Sequence, residues 1–142
     1  MPYLSEMVGR PVTDANGERI GRLEDLIAAR GDVAPPQIVA LAIKRGSDLL
    51  LIPFEEAAAL LAPAIPLLHP VQDIVPYQPS ENDLYLARDV LDKQIIDTDG
   101  VRVVRVNDLE LARVNGHFFV ANVDIGGLGL MRRLGLARPT EK

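Results

Sequence analysis

The chain of 142 residues has no cysteine and no tryptophan, and aromatic residues make up only 4% of it. Without cysteine there is no disulfide, thiolate zinc site, iron–sulfur cluster or sulfur nucleophile. Histidine is scarce as well. His69 and His117 stand far apart, so a histidine-rich metal or catalytic centre is not expected. An excess of cations is also missing: 15 Lys and Arg against 20 Asp and Glu leave a net charge of −5. Proteins that displace counterions from phosphate need the opposite balance, so direct nucleic-acid binding is not expected. No run approaches the ~18 consecutive apolar residues of a membrane span. The start, Met1-Pro-Tyr-Leu-Ser-Glu-Met7, has neither the basic nor the apolar stretch of a secretory leader. A cytoplasmic location is expected, including the cytoplasmic face of a membrane protein, with no transmembrane segment in this chain.

What is present suits a packed core, with 48% apolar and 25% charged residues. The length fits one ordinary domain or two very small ones. An internal repeat favours the second. Sliding the chain by 83 positions aligns residues 5–28 with 88–111 and pairs Asp14 with Asp97, Gly17 with Gly100, Arg19 with Arg102, Arg22 with Arg105, Asp25 with Asp108 and Leu26 with Leu109. Apolar pairs such as Val12/Ile95 and Ile20/Val103 fill the positions between them. Further along, the offset becomes 80, so that Ile38–Gly46 aligns with Phe118–Gly126. The length difference falls in loops, which absorb it without flipping a strand's faces.

Each copy reads as short strands and turns. Val12-Thr13, the Asp14–Gly17 turn and Glu18–Leu23 form a hairpin pattern, because Asn and Gly tolerate positive φ and Asp bonds turn amides. Ile95-Ile96, Asp97–Gly100 and Val101–Val106 repeat it. In the next strand Val39, Leu41 and Ile43 share one face, with Phe119, Ala121 and Val123 as counterparts; this apolar face is the expected core side. Phe118 and Val120 fall on the other face, either as an exposed patch or buried under the neighbouring module. Leu49–Phe54 reads as a further strand ended by Pro53, and Glu55–Ala62 as a short helix stopped by Pro63. Residues 63–83 carry five prolines and read as a connector. After Val123 no counterpart of Leu49–Phe54 is evident. The second module therefore reads as one strand short, or the chain as part of something longer.

Candidate chemistry is thin. Gly126-Gly-Leu-Gly129 lacks the third glycine of a dinucleotide fingerprint, since Arg132 stands there, and no Walker lysine follows. Asp14, Asp25, Asp97 and Asp108 recur in register, as turn residues or as surface partners of Arg22 and Arg105 rather than as a magnesium site. Ser47 fails the nucleophile-elbow pattern at both glycine positions. No enzyme activity, catalytic residue, cofactor or metal is expected. The tail reads as a short amphipathic helix that places Leu130, Met131 and Leu134 on one apolar face beside Arg132 and Arg133, which suits a protein contact better than a membrane surface. Phe118, Val120, Leu130, Met131 and Leu134 are the candidate interface residues. An unpaired strand edge near 118–125 would invite a second copy, making a homodimer one expected arrangement.

Leu4-Ser-Glu-Met-Val-Gly-Arg-Pro-Val12, followed by Asp-x-x-Gly and Ile20-Gly-Arg-Leu-Glu-Asp-Leu26, resembles the PRC-barrel family. That family is a small antiparallel β-barrel seen in the photosynthetic reaction-centre H subunit and the ribosome maturation factor RimM. In the second copy, Leu86–Asp97, Arg102–Leu109 and Asp124–Gly135 resemble the tandem PRC-barrel regions N-terminal to the helical and CBS domains of MgtE-type magnesium transporters and related CBS proteins. In that subgroup an Ile-Pro-Trp strand commonly follows, and here it is missing. The resemblance implies a mainly β fold of two PRC-barrel-like barrels with short helices. Module 1 with its Pro-rich connector spans 1–79, and module 2, lacking its last strand, spans 80–142. It further implies a non-enzymatic interaction or regulatory module whose partners are proteins or further domains of a parent chain. The alternative is a RimM-like adaptor in RNA processing or ribosome maturation.

Overall fold

The computed structural model describes residues 1–31, 35–96, 103–125 and 131–132. In chain order these form α1 (Leu4–Met7), β1 (Pro11–Thr13), β2 (Arg19–Ala29), β3 (Gln37–Arg45), β4 (Asp48–Pro53), β5 (Ile65–Pro66), β6 (Asp83–Tyr85), a π-helical turn (Leu86–Val90), β7 (Gln94–Ile96), β8 (Val103–Arg105), β9 (Asp108–Val114), β10 (His117–Asp124) and β11 (Met131–Arg132). Two 3-10 turns lie at Phe54–Glu56 and Val71–Asp73. The protein is mainly β. Among the described residues no helix is long and apolar enough to cross a membrane.

Among the described residues nine strands join one curled, half-barrel sheet in the order β11-β10-β3-β2-β1-β5, with β4 on β3, β6 on β2 and β9 on β10; β7 and β8 pair separately. The strands form where the sequence alternates, and two of the turns carry the residues their geometry demands. Between β9 and β10, Asn115 (φ 52°) and Gly116 (φ 81°) both take positive φ, the two-residue hairpin turn that Asn-Gly favours. Gly9 (φ 95°) and Asp92 (φ 60°), 83 positions apart, both take left-handed φ.

Certain backbone pairings occur twice at a fixed spacing. Pro11 faces Arg22 as Gln94 faces Arg105, each residue 83 positions on from its counterpart. Gly9 N–H donates to Leu23 O, and Asp92 N–H donates to Val106 O, at the same spacing. In the longer hairpins, Leu26 faces Leu41 as Leu109 faces Val123, so β10 is offset from β3 by 82 positions rather than the 80 read from sequence. The difference of two leaves the side-chain faces unchanged.

The expected core face is only half right. Leu41, Ile43 and Val123 are buried, but Val39, Phe119 and Ala121 are not; Ile38, Phe118 and Val120 are buried in their place. A β-bulge explains this. Between the pairs Ala28↔Ile38 and Ile27↔Ala40 the residue Val39 has no partner, and between Leu111↔Val120 and Glu110↔Asn122 the residue Ala121 has none. Each extra residue switches the inward face from one parity to the other. The two bulges sit at equivalent positions.

Three further expectations change. Glu55–Ala62 is not a helix: after the 3-10 turn, Ala57 bridges Leu67, Ala58 N–H donates to Pro66 O and Leu68 N–H donates to Glu56 O. Pairing with the incoming Ile65–Leu67 segment overrides the alanine propensity. The place expected to be a strand short holds β11, where Met131 faces Asp124 and Arg132 faces Val123. In the first half Leu51 faces Ala42 and Ile52 faces Leu41, so β11 lies where β4 lies. Its two residues are strand, not the start of a tail helix. The 63–83 connector is also more than a crossing, because β5 pairs β1 in parallel and Leu67 N–H donates to Thr13 O.

The halves share one core. Leu4, Leu26, Leu41 and Ile65 belong to the same buried cluster as Leu86, Leu109, Leu111 and Val120. Their leading segments also cross over. β6, which opens the second half, pairs with β2 of the first (Ala28↔Leu84, Ile27↔Tyr85). Reciprocally, Tyr3 bridges Glu110 of β9, and Leu111 N–H donates to Pro2 O.

Candidate interaction surface

Where β4 ends, Pro53 brings no N–H and the chain turns off the sheet through Phe54–Glu56. The Arg10 guanidinium pins the stretch beyond that turn, donating to Leu61 O at 2.9 Å and to Ala62 O at 3.3 Å. Opposite stands the tip of the β9–β10 hairpin. Between them opens a cleft of about 560 Å³, walled by Ala57, Ala58 and Leu61 on one side and by Arg113, His117 and Phe118 on the other. Phe54 and Phe118 meet edge to face at its base, with ring centroids 5.8 Å apart. The Arg113 guanidinium lies 5.9 Å from the Phe118 ring centroid, and the His117 ring contacts Gln37 Nε2 at 3.2 Å. Small apolar side chains with a cation at the rim suit an inserted apolar side chain of a partner.

Of the candidate interface residues, Phe118 (4% exposed) and Val120 (1% exposed) are buried. Of the two readings of that face, burial is the one observed. Leu130 and Leu134 lie outside the described residues, as do the Gly126–Gly129 loop, Asp97 and the Asp97–Gly100 turn; Met131 is placed in β11 by its backbone alone. The edge near 118–125 is not open. Phe119 pairs with Gln37, Val120 N–H donates to Pro36 O, and β11 covers Val123 and Asp124. The strand edge expected to recruit a second copy is therefore occupied by this chain itself.

The repeated aspartates are structural in a way the sequence did not display. Asp14 behaves as a turn residue, accepting from Asn16 N–H (3.0 Å) and Glu18 N–H (3.1 Å), and it also reaches Val71 N–H (3.1 Å). Burial works to raise its pKa, but these three donors outweigh it and hold the carboxyl below the usual value. The expected surface pairs Arg22–Asp25 and Arg105–Asp108 are replaced by other partners. Arg22 donates to Gly9 O and Arg105 to Asp92 Oδ1. Asp25, 4% exposed, accepts from Leu26 N–H (2.8 Å), Ala87 N–H (2.6 Å) and Arg88 N–H (2.9 Å). Burial is the largest influence and pushes its pKa up despite those donors, with the neighbouring Asp89 adding to the rise.

Asp108 does for the first half what Asp25 does for the second. It accepts from Ser5 N–H (3.1 Å), Leu109 N–H (2.8 Å) and the Ser5 hydroxyl. Each half thus holds the opening turn of the other. Asp25 and Asp108 were visible as a repeated pair, but their partners, the amides at 87–88 and at 5, carry no side-chain signal in sequence. Among the described residues no group of three or more His, Asp or Glu could hold a metal ion.

A search of curated proteins finds no match to this chain. The family comparison is positive: residues 1–65, from α1 through β4 to the first residue of β5, match the PRC-barrel domain. A PRC-barrel domain is thus found at residues 1–65, the stretch that carries the Asp14 turn and the β2–β4 meander.

Proposed function

We propose that the chain is a non-enzymatic interaction and regulatory module built from two PRC-barrel-like units, spanning 1–79 and 80–142. In this reading it stands on the cytoplasmic side, N-terminal to the helical and CBS domains of an MgtE-like magnesium transporter or a related CBS protein. The observation that carries it is the recurrence of register. The β1–β2 and β7–β8 pairings, the Gly9 and Asp92 bends and the Val39 and Ala121 bulges stand at matching positions in the two halves. This recurrence supports duplication of a unit whose first copy is a PRC-barrel domain. The sequence likeness of 86–109 and 124–135 to the transporter-associated regions supports the magnesium context. The cleft between Ala58 and Arg113 supports docking of a protein partner or of another domain of the parent chain.

The test is photo-crosslinking in cells from a reactive side chain placed at Ala58. Crosslinks to a CBS-domain or magnesium-transport protein support this reading. Crosslinks to ribosomal proteins overturn it in favour of a RimM-like adaptor. Magnesium titrated into chelator-treated protein is expected to give no saturable heat, since the proposed role is contact rather than ion binding.

A further inference from the structure

We infer that the Asp25 and Asp108 clamps are docking sites for the Tyr-Leu turn of a second copy of the same unit, so that this chain is a linked, exchanged pair. The inference rests on the proposed tandem duplication but not on the magnesium context.

The two clamped turns are the same device. Tyr3 N–H is capped by Glu6 Oε1 (3.0 Å), and Tyr85 N–H by Asp89 Oδ2 (2.9 Å). Leu4 and Leu86, each the next residue, are both fully buried. Tyr3 bridges Glu110 on β9 as Tyr85 pairs with Ile27 on β2, and Glu110 is the counterpart of Ile27. One difference separates them. The first turn closes with Val8 N–H on Leu4 O, the second with Leu91 N–H on Leu86 O, so the second holds one more residue and is π-helical.

The clamp absorbs this difference. Asp25 takes two backbone donors, Ala87 N–H and Arg88 N–H, whereas Asp108 takes Ser5 N–H and the Ser5 hydroxyl. Both carboxylates also accept from the following residue, Leu26 or Leu109. The chemistry recognised is a pair of donors at the start of a helical turn, with a leucine buried beside it. Each half supplies both the clamp and the turn. Two copies of such a unit therefore satisfy one another reciprocally, and the 63–83 connector makes that encounter intramolecular.

Two experiments on the full chain test this. In the first, Tyr3–Val8 is grafted in place of Tyr85–Leu91. The expected result is a folded protein whose folding equilibrium constant stays within about tenfold of the parent's, with the grafted serine amide protected from hydrogen exchange. A variant that fails to fold, or leaves that amide unprotected, overturns the inference. In the second, a protease site inserted between Gln78 and Pro79, both exposed, is cut after folding and the product examined by native mass spectrometry. The halves are expected to remain one particle of about the intact mass. Ser5→Ala, which deletes only the hydroxyl donor, should raise their dissociation constant about two- to fivefold, and Asp25→Ala about tenfold or more. Separation without denaturant, or no change in either variant, overturns the inference. Passing both tests without a magnesium-related crosslink would leave the exchange standing and remove the functional reading alone.

Discussion

The Asp25 carboxylate accepts the Arg88 amide at 2.9 Å across 63 residues of chain. It is buried among three backbone N–H donors. Its counterpart Asp108 is half-buried and faces a hydroxyl in place of one amide. A hydroxyl can reverse its role; an amide cannot.

Asp25→Asn and Asp108→Asn should therefore differ although the substitution is the same. At Asp25 the new NH2 group confronts an amide donor, leaving a buried donor unsatisfied at a cost of about 2–3 kcal/mol. At Asp108 the Ser5 hydroxyl rotates to accept, and the cost falls to about 1 kcal/mol or less. Urea unfolding of the two variants measures the difference; equal losses would contradict the assigned partners.

Gly21 lies on β2 where a Cβ would stand 2.1 Å from the Lys44 carbonyl oxygen and 3.0 Å from its carbon. Backbone cannot swing aside as a side chain does. Gly21→Ala should cost about 3 kcal/mol or more, at the upper end of overpacking losses. Gly46→Ala is the control: it has open space but a φ of 60°, which costs about 1 kcal/mol. Denaturation midpoints should rank the two in that order.

These two positions mark the limit of what the sequence displays. Strand β3 was legible because Leu41 and Ile43 alternate with small or polar neighbours, and the Asp14 turn because Asn and Gly announce it. The bulges at Val39 and Ala121 were not, since an extra residue of ordinary composition leaves no trace in the pattern and shows only as a parity switch. Glu55–Ala62 reads as helix because alanine propensity is local, whereas the pairing with Ile65–Leu67 that defeats it is tertiary. The crossing of the halves was hidden for the same reason. Asp25 and Asp108 stand out as identical residues in register, but an acceptor does not declare which distant amide it will hold. The family of the first half was legible because its ordered set of apolar, turn and Asp positions falls within one continuous stretch.

The pKa values of the two buried aspartates are shifted in opposite directions. Asp14 is held below the ordinary carboxylate pKa, so its contribution to stability is full above the unfolded value of about 3.9 and is lost as pH falls through the folded value. Asp25 is raised, so its ionised form is the less favoured one in the folded protein. As pH falls through its folded value toward the unfolded one, Asp25 adds stability. Carboxyl-carbon NMR titration should show Asp25 protonating before Asp14. The stability deficit of Asp14→Asn should shrink on acidification below about pH 4. Protonation of Asp14 at higher pH than Asp25 would contradict the hydrogen-bond assignment.

The connector should behave as part of the wall rather than as a tether. Tyr77 N–H donates to Leu51 O at 2.8 Å on the outer side of β4, and its hydroxyl donates to Asp83 Oδ1 at 2.9 Å. Burial and that carboxylate push the Tyr77 phenol up to about 12. Ionising it would cost the bond and set two negative charges side by side. Ultraviolet titration of the 3 tyrosines should therefore show one ionising near pH 12. Tyr77→Phe should remove that late step and lower stability by about 1 kcal/mol, the net worth of one such hydrogen bond. Tyr3 is also raised, by burial and Glu110, so the reading rests on the step that Tyr77→Phe removes; a titration unchanged by that substitution would mean that Asp83 does not hold this phenol. A late step lost without any fall in stability would mean that the bond does not tie the connector to the sheet.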